Sequence, residues 1–267
     1  MIARSYLYIP GNMASMLEKA NTRGADALII DFEDAVAASE KEKARLLFSE
    51  WITVASELPQ IWVRINPETI EADLAVADHA RVTGIVVPKA TVENMNHVSK
   101  SLKHVSQLSA LIESAASILD ARAIANIAKV DFLQIGQLDL RAELSLGNDS
   151  GSPTLNFALS MLVLASAAAG INQPVAPMYP DFKDEVGLRT TCKSFKSDGF
   201  FGRSCIHPSQ IAVVNEEFTT TADELAHAQA VLDAVSKSTG VAVDEHGKMI
   251  DAASVKIAQG IISRKSL

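Results

Sequence analysis

Three carboxylates, Asp31, Glu33 and Asp34, fall within four positions at the end of the apolar run in ADALIIDFEDAV, residues 25–36. Loops begin where strands end, so polarity there has a purely structural reading. The sharper reading is that a cation or a proton-exchanging group sits beside them. Glu113 in LIESA and Asp139 in IGQLDLRAE also follow short apolar runs. Mg2+ takes hard oxygen ligands and accepts one or two protein carboxylates completed by water and substrate, so this pair suits a divalent cation. Taken singly, each also reads as a capping or surface carboxylate. Arg64 in WVRIN offers the planar fork that matches a carboxylate. The turn at Pro10, Gly11 and Asn12 leads into a helix N-terminus, where backbone N–H groups can hold an anion. His207, before Pro208 at a strand-to-helix turn, is either catalytic or a loop-ordering residue. Cys205 lies within an apolar strand and reads as packing.

These residues need a scaffold that gathers distant strand ends. Eight short apolar runs alternate with helical patterns: 5–10, 27–33, 61–66, 84–89, 109–114, 131–136, 174–179 and 199–207. Most are apolar on both faces, as parallel strands covered by helices are. Eight strand–helix units predict an α/β fold, a (β/α)8 TIM barrel, whose catalytic groups come from the C-terminal strand ends. Arg64, Lys89, Glu113, Gln134, Asp139, Tyr179, Arg203 and His207 then belong to one rim. No Gly-x-Gly-x-x-Gly follows the first strand, which removes the fingerprint of a nucleotide-binding open sheet. Helices are predicted over 12–23, 40–57, 69–80, 92–104, 115–128, 153–169 and 181–197. The barrel domain is assigned to 1–216. Residues 217–267 form an extension, a surface helix over 221–238, a hairpin-like piece over 240–251 and a last helix. It is a lid or an oligomer-contact element.

The 267 residues carry 24 Lys and Arg against 32 Asp and Glu, a formal charge of −8. That balance disfavours nucleic-acid binding. Two cysteines make neither a disulfide framework nor a zinc cluster, and a reducing compartment is the default. MIARSYLYIPGN lacks the apolar core of a secretory signal, and FALSMLVLASAAAG is too short for a bilayer helix. The expectation is a soluble, cytoplasmic protein with no membrane partner.

In order along the chain, RSYLYIPGN, GADALIIDFEDAV, WVRIN, VVPKA, LIESA, IGQLDLRAELSLG, YPDFKDEVGLR, GFFGRSCIHPSQIAVVNEEF and GKMID resemble the citrate lyase beta-subunit-like branch of the HpcH/HpaI aldolase/citrate lyase family, which contains CoA-ester lyases. The resemblance runs nearly end to end. It implies a TIM barrel binding Mg2+ (Mn2+ as the alternative) through Glu113 and Asp139. The metal holds the α-oxygen and carboxylate of a 2-hydroxy or 2-oxo acid, and Arg64 clamps that carboxylate. Glu33 and Asp34 then stand behind the metal, touching its waters or holding Arg64, while Asp31 has the weaker claim and shapes the turn. Gly11 and Asn12 bind substrate through backbone N–H groups. Lys89 and Arg203 order the site or meet the phosphates of CoA, which enters as part of the substrate. Asp251, in HGKMID, matches an aspartate that in related lyases reaches a neighbouring subunit's site, and it is assigned proton transfer. The implied assembly is a homo-oligomer, a trimer favoured.

The implied reaction is Mg-dependent carbon–carbon cleavage of a 3-hydroxyacyl-CoA, of malyl-, citramalyl- or citryl-CoA type, to an acyl-CoA and a 2-oxo acid. The alternatives are an aldolase or thioesterase on a related acid or its CoA ester, and a non-catalytic subunit of a lyase complex. Where the family pattern has Glu-Asp this chain has Leu138-Asp139. Where it has Glu-Thr-Pro the chain has Glu113-Ser114-Ala115. These departures leave the acyl group open.

Overall fold

The computed structural model describes residues 2–147, 151–238, 242–244 and 247–263. They divide into two compact units, Ile2–Phe218 and a second beginning at Thr219.

The first unit is built on parallel strands β1 (Ser5–Pro10), β2 (Ala27–Asp31), β3 (Gln60–Arg64), β4 (Gly84–Val87), β5 (Gln107–Ile112), β6 (Val130–Ile135) and β7 (Arg203–Cys205). The sheet order is β6-β5-β4-β3-β2-β1-β7. The predicted strand over 174–179 shrinks to a parallel bridge segment, in which Val175 pairs with Gln134 and Ala176 pairs with Arg203. Val175 N donates to Leu133 O at 2.9 Å, and Ala176 N donates to Gly202 O at 3.0 Å. This segment is the eighth stave and links the two sheet ends, completing the TIM barrel.

Alternation along the strands sorts their side chains into two apolar cores, because successive Cβ atoms point to opposite faces. Tyr6, Ala27, Ile29, Trp62, Val86, Leu111, Phe132 and Val175 fill the barrel interior. Leu7, Leu28, Ile30, Ile61, Val63, Ile85, Leu133 and Cys205 face the helices. Both faces are buried, which is why the strands read as unbroken apolar runs. Tyr6, Trp62 and Phe132 form an aromatic floor, with ring centroids 4.8–6.3 Å apart.

The helices of this unit are α1 (Ala14–Leu17), α2 (Lys41–Val54), α3 (Ile70–Ala77), α4 (Val92–Ser101), α5 (Ala115–Leu119), α6 (Ala121–Ala125), α7 (Gln137–Glu143), α8 (Pro153–Ala169), α9 (Glu185–Ser197) and α10 (Ile211–Phe218). The helix predicted over 12–23 is only one turn of α-helix and a 3-10 turn, Ala20–Arg23, ended by Gly24 at φ 77°. The one predicted over 115–128 is interrupted at Asp120. Short α7 was not predicted. Helix α8 has clear signals: Ser152 caps it, Pro153 opens it and Gly170 closes it in the left-handed region. It buries one face through Leu155, Leu162 and Ala165, while Phe157 and Leu164 stay exposed.

In the second unit, α11 (Ala222–Lys237) starts with a Thr221–Glu224 capping box and packs on α12 (Ala252–Ser263) through Ala228, Val231 and Ala258. Val243 and Met249 pair antiparallel, as the hairpin reading expects. Residues 240, 241, 245 and 246 of that predicted hairpin lie outside the described residues. Among the described residues no helix is long and apolar enough to cross a membrane.

Candidate active site

The polar rim starts from the pairing of β2 with β3. Asp31 and Arg64 are register partners, and both point inward above the aromatic floor. Arg64 Nε donates to Asp31 Oδ1 at 2.7 Å, and Nη2 donates to Oδ2 at 2.6 Å. Asp31 also accepts from Glu33 N at 2.8 Å and from Ala35 N at 3.0 Å. It therefore both shapes the turn and fixes the guanidinium, a larger role than its sequence position suggested. Arg64 Nη1 lies 2.9 Å from Glu33 Oε2 and 3.2 Å from Asp34 Oδ2. Burial alone would lower the Arg64 pKa, but Asp31 and its neighbours hold it well above the ordinary value.

The acidic loop is fastened from below by Lys41, at the start of α2. Its buried ammonium donates to the carbonyls of Phe32 at 2.7 Å, Glu33 at 2.9 Å and Val36 at 3.1 Å. Three donors meet three carbonyl acceptors, and none of the three is a carboxylate. Phe32 points outward and packs edge-on against Phe48 of α2.

Lys89, just after β4, adopts φ 46°, a left-handed conformation unusual for a non-glycine residue. That turn aims its backbone N–H at Glu113 Oε1, while its Nζ reaches Glu33 Oε1 at 2.6 Å. One residue thus ties the two buried carboxylates together.

Glu113 follows β5 beside Gly136, which follows β6. A Cβ on Gly136 would stand 2.5 Å from both Cβ and Oε2 of Glu113. The missing side chain is what admits the carboxylate. Asp139 occupies the first turn of α7, exposed, with no hydrogen bond or ion pair among the described residues. Burial pushes the Glu113 carboxyl up to about 7. The Lys89 N–H opposes that shift, and the charges of Glu33 and Asp139 reinforce it. Burial also raises Glu33, against the pull of Arg64 and Lys89.

Five carboxylates therefore stand against the two cations Arg64 and Lys89. A buried carboxylate near neutrality, pressed by like charges, is the environment a hard divalent cation relieves. Among the described residues no cluster of three or more Asp, Glu, His or Cys forms a complete ligand set. Glu113 and Asp139 offer hard carboxylate oxygens of the kind Mg2+ accepts, and two such ligands would leave its other positions to water and substrate.

Other predicted residues fall elsewhere. Gly11 N donates to Asp31 O at 2.9 Å, so this N–H is committed to the fold and is not an anion donor. A Cβ there would meet the Phe32 ring at 2.8 Å, so packing requires the glycine. Asn12, half-buried, leaves its Oδ1 buried without a hydrogen-bond partner. Arg203 is not brought to the rim. It pairs with Ser5 at the start of β1 and faces outward, bonded to Pro177 O and Thr191 Oγ1 and packed on Tyr179 and Phe195. A side chain 2% exposed and so bonded does not meet phosphates. His207 caps the 3-10 turn Pro208–Gln210 through Ser209 and stacks on Phe182, the loop-ordering alternative. Cys205 is fully buried, its thiol pushed up to about 12 by burial. Asp251 belongs to the second unit, where it accepts from Ser254 N at 2.7 Å and from Ser254 Oγ at 2.8 Å. Those bonds hold its carboxyl below the usual range.

Tyr8 escaped the sequence reading. Its ring lies 5.1 Å from the Arg64 guanidinium carbon, and its hydroxyl is 3.5 Å from Gln134 Oε1. The signal was present, because Tyr6 and Tyr8 share a face of β1 by alternation.

The chain is similar along its length to known proteins. Residues 4–208 match the family model HpcH/HpaI aldolase/citrate lyase, and residues 160–267 match the C-C Bond Lyase of the TIM-Barrel fold model. A (3S)-malyl-CoA thioesterase of Cereibacter sphaeroides is 32% identical over 262 residues, covering 97% of this chain and 90% of that protein. The mitochondrial citramalyl-CoA lyase of Rattus norvegicus is 28% identical over 290 residues, with 97% and 85% covered. Among solved structures, CitE from Mycobacterium tuberculosis in complex with magnesium, acetoacetate and coenzyme A aligns with a TM-score of 0.78, 26% identity and 98% of each chain covered.

Proposed function

The chain belongs to the HpcH/HpaI aldolase/citrate lyase family, and we propose on that premise that it is a Mg2+-dependent carbon–carbon lyase. Its substrate is a 3-hydroxyacyl-CoA of malyl-, citramalyl- or citryl-CoA type, and its products are an acyl-CoA and a 2-oxo acid. The observation that carries the reading is buried Glu113, raised by burial and by the charges of Glu33 and Asp139, and tied through Lys89 to the same Glu33 that pairs with the braced Arg64. Magnesium bound in a solved relative together with coenzyme A and a small oxo acid supports it.

Glu113 and Asp139 would hold the ion. When bound, magnesium supplies the Lewis acidity that lowers the pKa of the substrate hydroxyl and steadies its oxygen as a carbonyl develops. In the reaction the hydroxyl proton leaves, the C2–C3 bond breaks and its electron pair passes to the thioester fragment as an enolate. Protonation of that carbon yields the acyl-CoA. Asp251, contributed by a neighbouring copy in a homotrimer, is the proposed proton-transfer group. Arg64 orients the acid. Its Nε–Nη2 edge is taken by Asp31, so the substrate carboxylate engages the Nη1 end, displacing exposed Asp34 from the longest of its contacts. Lys89 keeps Glu33 and Glu113 in fixed relation.

Thioester hydrolysis is the second reading, favoured by the malyl-CoA thioesterase at 32% identity. Incubating the protein with malyl-, citramalyl- and citryl-CoA, with Mg2+ or chelator, separates the two. The lyase releases acetyl-CoA and a 2-oxo acid, whereas the thioesterase releases free CoA and the intact hydroxy acid. Metal-independent turnover rejects the Glu113/Asp139 assignment. Absence of any turnover points to a non-catalytic subunit. An Asp251→Asn variant with unchanged turnover and intact assembly rejects its proton-transfer role.

A further inference from the structure

Among the described residues, Tyr8 is the partly exposed side chain packed against the buried barrel-interior cluster. It stands on β1 one inward position above Tyr6, which is fully buried in the aromatic floor. Its ring therefore belongs to the floor, and its hydroxyl reaches the level of the charged rim.

The hydroxyl has a fixed but weak partner. Gln134 Nε2 donates to Ser109 Oγ at 2.9 Å, and Gln134 Oε1 accepts from Ser204 Oγ at 3.2 Å. These bonds set the amide so that its oxygen faces Tyr8, which makes the phenol the donor. At 3.5 Å the contact is at the outer limit of a hydrogen bond. Arg64 packs against the same ring, and the charges of Asp31, Glu33 and Glu113 all bear on the phenol. Burial holds it well above its ordinary pKa, so it carries its proton throughout the working range. A Phe would pack equally well on the floor. What the Tyr adds is one loosely committed O–H beside the cation that holds the acid.

We infer that the Tyr8 hydroxyl is a substrate contact, donating a hydrogen bond to an oxygen of the 2-oxo acid fragment. The inference rests on the reaction class proposed above and goes beyond it by naming a contact that distinguishes the acid from the acyl-CoA. Exchanging a 3.5 Å contact for a bond to an anionic or carbonyl oxygen loses little and gains a charge-assisted interaction. A site that hydrogen-bonds a substrate group in this way also discriminates against ligands lacking it.

The test is Tyr8→Phe in the full-length protein, read by direct binding rather than turnover. Calorimetry with Mg2+ present measures pyruvate, oxaloacetate and, separately, acetyl-CoA. The expected result is an oxo-acid affinity weakened about tenfold or more, with acetyl-CoA affinity and thermal midpoint unchanged. Equal oxo-acid affinity in the two proteins overturns the inference, as does absence of oxo-acid binding by the unmodified protein. Parallel loss of both ligands, or unfolding of the variant, makes Tyr8 a structural residue and also overturns it. Because the readout is binding, a failed lyase assay and a failed Tyr8 contact remain distinct results.

Discussion

Asp31 and Arg64 sit opposite each other on neighbouring strands, and the carboxylate covers the whole Nε–Nη2 edge of the guanidinium. The arginine proposed to hold the substrate acid is thus braced before any substrate arrives. Its orientation comes from β-sheet register rather than from a loop.

The first prediction concerns that brace. Removing one partner of a buried pair leaves the other charge uncompensated and costs roughly 3–5 kcal/mol. Asp31→Ala should destabilise the protein by that amount in urea unfolding. Asp34→Ala, at an exposed carboxylate with a single 3.2 Å contact, should cost under about 1 kcal/mol. Similar losses for both would show that the brace is shared evenly.

Gly136→Ala tests the space beside Glu113. Gly136 has φ −85°, which alanine adopts freely, so strain of the backbone is not the issue. The added methyl would stand 2.5 Å from Glu113 and push its carboxylate aside. Mg2+ affinity should fall about tenfold or more, measured by calorimetry. An unchanged affinity would mean that the ion does not depend on Glu113 as held here.

Proton competition gives a third expectation. Metal-free Glu113 titrates near 7 because burial and the neighbouring carboxylates favour its protonated form. A cation requires the ionised form, so Mg2+ affinity should rise with pH through that value and level off above it. Each pH unit well below it should weaken binding by about tenfold. Glu113→Gln should flatten the profile. A flat profile in the unmodified protein would remove Glu113 from the ligand set.

The fourth concerns the acidic loop. Lys41→Met strips three buried carbonyls of their donor, which should cost about 3 kcal/mol in chemical unfolding. It should also lower turnover by releasing Glu33. Stability within about 0.5 kcal/mol of the unmodified protein would show that the 32–36 loop holds itself.

The barrel was legible because hydrophobic periodicity and strand count are local signals, and β1 emerges with its predicted bounds, Ser5–Pro10. What required three dimensions was which strand ends touch. Asp31 looked like a turn residue because its partner is 33 positions away in the chain. Lys41 received no role from the sequence, since nothing local reveals three carbonyls converging on it. Helix α7 spans only seven residues and its N-cap makes no side-chain hydrogen bond, so periodicity had too little to register. Arg203 was misread for a different reason. Alternation in Arg203-Ser204-Cys205 turns Ser204 inward and Arg203 outward, and rim position was inferred from charge instead.

The two-residue stave at Val175 and Ala176 gives the barrel a seam. Every other joint is a ladder of three or more registered pairs, whereas this one relies on single bridges to Gln134 on one side and Arg203 on the other. Gln134 also carries the amide that faces Tyr8. Local opening starts where few bonds must break together. Amide protons at Val175 and Ala176 should therefore exchange with solvent deuterium sooner than those of β2 and β3. Gln134 belongs to the seam through its backbone and faces Tyr8 through its side chain, so the breathing of the wall and the proposed contact with the acid share one residue.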